Sequence, residues 1–186
     1  MENLTNYLQL GFEHVIPTGF DHILFILCLF FYSSNLKKVL IQCTIFTIAH
    51  SIALALSASG IVLYNSKIIE PLIALTILYT AIENIFFTEK SKIRYLLIFI
   101  FGLIHGLGFA TALKEIGIPK TQFFTSLLSF NVGVELGQIT IIISAYFLIS
   151  KWFSEKIWYQ ERIVYPISSI IGSIALFWTI ERLLLI

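Results

Sequence analysis

The sequence predicts an all-α integral membrane protein, with six transmembrane helices behind a short N-terminal interfacial helix. Charge scarcity is the first observation behind this. Of 186 residues, 58% are hydrophobic and only 12% charged, against about 25% charged in soluble domains. The mean hydropathy of +0.90 agrees. Too few polar side chains remain to cover a water-facing surface, which argues against a soluble enzyme or a disordered linker. The second observation is that the charges gather in short breaks between apolar runs long enough to cross a hydrocarbon core of about 30 Å. The third is what remains: six runs of roughly 20 residues take up about two thirds of the chain. No soluble domain fits, so residues 1–186 are expected to form a single transmembrane domain. A net charge of +1 offers no basic excess for phosphates, so no nucleic-acid partner is expected. Cys28 and Cys43 lie inside apolar runs and supply neither a disulfide framework nor a cysteine metal motif.

Residues 1–16 place Leu4, Tyr7, Leu8, Phe12 and Val15 at helical spacing, with Asn3, Asn6, Gln9 and Glu13 between them. That pattern predicts an amphipathic helix lying in the membrane interface. With no basic n-region and no small-residue cleavage site, it is not expected to be a signal peptide. Pro17 ends the helix, and residues 17–186 form the six-helix bundle. The spans are expected near Thr18–Tyr32, Lys38–Gly60, Lys67–Phe87, Arg94–Leu113, Gln122–Ser150 and Ile163–Leu185. The first is short, which suggests help from the segment before it. One side of the membrane receives eight basic residues, Lys37, Lys38, Lys90, Lys92, Arg94, Lys151, Lys156 and Arg162. The other receives four, Lys67, Lys114, Lys120 and Arg182. The positive-inside bias therefore puts both termini outside the cytoplasm, and the expected location is a bacterial inner membrane. The bilayer is the expected partner, and a homo-oligomer is compatible with the pattern.

The chemistry lies in the polar residues that fall inside the spans. All four histidines, His14, His22, His50 and His105, lie at or within the membrane, with the acids Asp21, Glu83 and Glu135. Such groups are costly in hydrocarbon and face a bundle interior or an aqueous path. Lysine and arginine are expected only outside the deep parts of the spans, which leaves these acids without a basic partner. Imidazoles and carboxylates without a buried cation describe a site waiting for one. At 1.5 Å per residue, His22 lies roughly 6 Å from the outer face and His50 and His105 roughly 12–14 Å. Asn131 lies at about 14 Å, Glu135 at about 20 Å and Glu83 at about 24 Å. The expectation is a polar ladder, densest near the outside.

Each motif also has a plainer reading. Thr18-x-x-Asp21 has capping-box spacing, and a carboxylate in a first helical turn offsets the helix dipole. His14 reads equally as an interfacial histidine. Phe46-x-x-x-His50-Ser51 and Phe101-Gly102-x-x-His105-Gly106 echo one another on spans two and four, which hints at a tandem repeat. The glycines at 102, 106 and 108 allow close backbone approach, so His105 also reads as part of a packing face. Asn131, Glu135 and Gln138 fall at i, i+4 and i+7 on one helix face, and Gly133 and Gly137 form a packing ridge on another. Span three carries Thr76, Thr80 and the Glu83-Asn84 pair, which interhelical hydrogen bonding by a protonated carboxyl also explains. Span six holds no ionisable group at depth, and its Ser168, Ser169 and Ser173 are expected to pack.

Taken together, His14…Gly19-x-Asp21-His22, Thr47-x-x-His50-Ser51, Glu83-Asn84, Gly102-x-x-His105-Gly-x-Gly-Phe-Ala and Phe130-Asn131-x-Gly-x-Glu135-x-Gly-Gln138 resemble the HupE/UreJ family over roughly Leu10 to Gln138. The resemblance implies nickel or cobalt supply to hydrogenase and urease. It implies that His14, Asp21, His22, His50, His105, Glu135 and Glu83 handle metal, with Ser51, Asn84, Asn131 and Gln138 along the path or behind it. Asp21-His22 is also similar to the Asp-His pair of nickel/cobalt permeases. Imidazole and carboxylate suit Ni²⁺, Co²⁺ or Zn²⁺, whereas the lone Met1 and scattered cysteines argue against Cu⁺. The leading expectation is thus a divalent-metal permease. The alternatives are a membrane-embedded zinc hydrolase, with Glu135 as base, and a structural subunit.

Overall fold

In the computed structural model, which describes residues 2–33, 35–86, 93–116 and 122–185, every long element is a helix. Met1, Phe87, Lys90, Lys92 and Lys120 lie outside the described residues, as does the side chain of Lys114. The chain opens with α1 (Glu2–Val15) and α2 (Phe20–Tyr32). The 13 residues of α2 extend only about 20 Å, less than a hydrocarbon core. The two helices meet at a 69° bend, and as a pair they are long and apolar enough for one crossing. Five further helices pass that test alone or with their extensions: α3 (Leu36–Ala58), α4 (Ser66–Phe86), α5 (Ile93–Ile116), α6 (Phe123–Ala145) and α8 (Tyr165–Leu184). Helix α6 runs on through a π-helical turn, Tyr146–Ser150, into the short α7 (Lys151–Phe153), and the π-helical turn Gln160–Val164 leads into α8.

Local signals explain the ends. Asn35 accepts the Lys38 N–H at 3.3 Å and caps α3. Gly60, at φ +79°, follows the last turn of α3 in the left-handed region that side chains disfavour. The expected Thr18–Asp21 capping box does not form. Gly19 is the N-cap of α2 without a side-chain bond, and the Thr18 hydroxyl donates instead to the Glu13 carbonyl. The bend after Pro17 turns Thr18 back onto α1, so Asp21 is free for other work.

Helix α2 runs through the middle, touching α1, α3, α4, α6 and α8, while α3 lies along α5, α4 along α8 and α1 along α6. The glycine ridge read in span five finds its partner in α1. A Cβ at Gly133 would meet the Leu8 carbonyl, one at Gly11 would meet the Phe130 carbonyl, and Gly137 faces Val15. Helix α1 is thus packed along α6 through backbone-close contacts. The interior holds Phe25, Leu29, Phe46, Ile77, Phe130 and Val134, whereas Ile48, Leu128 and Leu148 point outward with 52%, 68% and 73% of their surface exposed. An apolar outer face of this kind belongs in lipid. The chain is an all-α membrane protein.

Candidate metal site

His14 ends α1, Asp21 and His22 open α2, and the bend between the helices turns the first toward the other two. His50 comes from α3 and His105 from α5. Helices α3 and α5 approach closely because a Cβ at Gly106 would meet the His50 carbonyl, and one at Gly102 would lie 2.5 Å from the Phe46 carbonyl. The matched motifs of these helices therefore face one another, His50 beside Gly106 and Phe46 beside Gly102. The imidazoles converge on His22, whose ring centroid lies 4.7 Å from His14, 5.5 Å from His50 and 5.1 Å from His105. Two triads result, His14–His22–His50 and Asp21–His22–His105. Within each, the potential ligand atoms all lie within 4.8 Å of one another.

Hydrogen bonds orient the rings. Asp21 Oδ1 accepts the His22 backbone N–H at 2.8 Å and faces His22 Nδ1 at 3.1 Å. With Nδ1 protonated toward the carboxylate, Nε2 presents its lone pair. The single hydroxyl proton of Thr76 goes to the Ile73 carbonyl at 2.7 Å, so its oxygen accepts from His105 Nε2 at 2.9 Å. That assigns the Nδ1 lone pair of His105 to the site. His14 Nε2, His22 Nε2, His105 Nδ1 and both nitrogens of His50 are buried without a hydrogen-bond partner among the described residues. Burying one such group unsatisfied costs about 1–3 kcal/mol.

Aromatic rings wall the cluster. Phe109 lies 3.9 Å from His14, and Phe25 and Phe46 lie 5.3 and 5.1 Å from His105. On one side the site opens into a cleft of about 280 Å³ lined in part by Asp21, His22, His105, Thr18 and Glu70. Glu70 is the acid that the sequence pattern does not single out. It sits in the first turns of α4 and pairs with Arg182 of α8 at 3.1 Å. Its sequence signal is its position at the N-terminal end of a span whose later turns carry Thr76.

The remaining sequence candidates lie elsewhere. Glu135 Oε1 accepts the Thr44 hydroxyl of α3 at 2.8 Å, and Oε2 is buried without a partner among the described residues. Asn131 donates to the Leu127 carbonyl, leaving Oδ1 unpartnered, and neither amide atom of the fully buried Gln138 has a partner there. Ser51 donates to Thr47 of its own helix. Asn84 ties α4 to the Cys28 carbonyl at 3.0 Å and to Ser168 at 3.2 Å. Glu83 corrects an expectation. It is ion-paired with Arg94, which is buried in the first turn of α5, so one of the three acids does have a basic partner. A charge at the very start of a span reads as a loop charge, but the first turn of α5 faces inward.

A helical membrane protein with histidines and a carboxylate converging inside its bundle belongs to the class of metal-handling membrane proteins. A family model described as HupE / UreJ protein matches residues 1–182, and the chain belongs to that family. Membership implies nickel or cobalt transport in general. Comparisons with curated proteins and with solved structures returned no match.

Proposed function

We propose that this chain is a permease that carries Ni²⁺ or Co²⁺, with Zn²⁺ as the further candidate, across the bacterial inner membrane with both termini outside the cytoplasm. The observation that carries the reading is the pair of triads sharing His22. Imidazole nitrogen with one carboxylate is a borderline donor set suited to these ions. Neither Cys28 nor Cys43 belongs to the triads.

An ion enters the cleft past the Glu70–Arg182 pair and meets Asp21, His22 and His105 at its floor. It then shifts to His14, His22 and His50, keeping His22 as a ligand throughout. A route built of partial sites lets an ion bind well enough to enter and loosely enough to leave. Glu135 lies farther inward: Thr44, its partner, precedes His50 by six residues, about 9 Å along α3. Its unpartnered oxygen, with Asn131 and Gln138 on the same face of α6, continues the route. Asn84 braces α4 against α2 and α8 beside it, and Ser51 adjoins His50 on α3.

Uptake into proteoliposomes containing a metal-sensitive dye tests this directly. The wild type is expected to admit Ni²⁺ or Co²⁺, and His50→Ala to reduce the rate at least tenfold. Equal uptake by the two, or none of Ni²⁺, Co²⁺ or Zn²⁺ at any pH, refutes the proposal.

A further inference from the structure

Four of the five helices that carry the triads and their Thr76 brace, α2, α3, α4 and α5, also meet away from the histidines, in a cluster the histidines do not touch. There Arg94 of α5 is ion-paired with Glu83 of α4, and its Nε donates to Gln42 of α3 at 3.2 Å. Its guanidinium lies 3.4 Å over the Tyr32 ring of α2. Arg94, Glu83 and Gln42 are all buried. Counting along each helix at 1.5 Å per residue, the clasp lies about 15 Å from His22 on α2, about 12 Å from His50 on α3 and about 16 Å from His105 on α5. Between the two layers stand Phe25, Phe46 and Phe101, with ring centroids 4.8 Å apart for the first pair and 6.2 Å for Phe25 and Phe101. The interior of these four helices is therefore stacked as histidines, then phenylalanines, then an arginine held by a carboxylate.

We infer that Arg94 is the inner gate of the ion route. This rests on the permease reading for the identity of the ion. Arg94 occupies Glu83 as a tethered cation, so a divalent ion reaches that carboxylate only when the guanidinium swings away, and the guanidinium repels a cation approaching past the phenylalanines. One feature suits it to release. Arg94 Nη2 is buried without a hydrogen-bond partner among the described residues, so the clasp leaves a donor unsatisfied where a fixed brace would satisfy it. A plain staple between helices needs only the ion pair. A gate also needs to lie across the line from the histidines, as this one does.

The two native thiols report on the clasp. Cys28, whose carbonyl accepts from Asn84, and Cys43, next to Gln42, are both free and buried. Purified full-length chain is treated with a cationic, membrane-impermeant methanethiosulfonate. The wild type is expected to react slowly. The neutral pair Glu83→Gln/Arg94→Gln is expected to react at least tenfold faster, with an unchanged thermal midpoint. Labelling at the wild-type rate overturns the gate. So does faster labelling accompanied by a matching loss of thermal stability, because that is what losing a staple does. If the double variant does not fold, Arg94→Lys replaces it, since a lysine lacks the planar fork by which Arg94 reaches Gln42 from Nε and Glu83 from Nη1. Faster labelling at an unchanged midpoint then supports the gate, and wild-type labelling counts against it. Failure of the wild type to bind Ni²⁺ removes the permease reading alone, and the thiol result still decides whether the clasp opens.

Discussion

At the scale of single residues, His22 is the pivot. It belongs to both triads, whereas every other ligand belongs to one. His22→Ala should therefore weaken Ni²⁺ binding by at least about 100-fold, beyond the 10–100-fold typical of losing an outer partner. His14→Ala, which spares the Asp21–His22–His105 triad, should cost less. Equilibrium dialysis of the two variants checks the order, and equal losses would show that the triads do not share His22. Three of the histidines are legible in the sequence because His22, His50 and His105 fall inside apolar runs, where an ionisable group needs a reason, whereas His14 reads equally as an interfacial residue. The Arg94–Glu83 pair is not legible, because a charge in the first turn of a span looks the same as one in the loop before it. Its signal is that Glu83 nears the end of one span and Arg94 opens the next, so an antiparallel hairpin brings them to one depth. Thr76 reads only as a polar residue on span three, since its partner lies on a different helix.

At the scale of helices, close packing of α3 on α5 sets the ligand geometry. Gly106→Ala would press a Cβ onto the His50 carbonyl. Overpacking of this kind costs about 1–3 kcal/mol, and here it displaces a ligand too, so Ni²⁺ affinity should fall with stability. Gly60→Ala meets open space but keeps φ at +79°, a strain of about 1–2 kcal/mol, and should leave affinity unchanged. Thermal unfolding and metal titration of both variants separate the effects. Affinity lost in Gly60→Ala, or retained in Gly106→Ala, would contradict the packing argument. The long helices are legible from apolar run length alone. The place of α1 is less so. Its amphipathic pattern points to an interface, yet Gly11, Gly133 and Gly137 bring it along α6, and only the fold pairs glycines so far apart in the chain. Its docking is what carries His14 to the cluster.

At the scale of the molecule, the bundle divides its polar residues between two ends. One end holds the histidine cluster, the cleft and the Glu70–Arg182 pair, and the other holds the Arg94 clasp and the basic residues Lys37, Lys38 and Lys151. The expected ladder separates the level of Glu135 from that of His50, because depth along a helix is simple arithmetic. It does not distinguish acids that are already paired from those that are free, because pairing depends on which helices are neighbours. The central claim is that the ion is held by imidazoles at this cluster. X-ray absorption at the nickel edge of the Ni²⁺-loaded chain tests it most directly. The account predicts a shell of nitrogen and oxygen only, with imidazole multiple scattering that weakens in His22→Ala. Sulfur in the shell, from Cys28 or Cys43, or a shell without imidazole would contradict it.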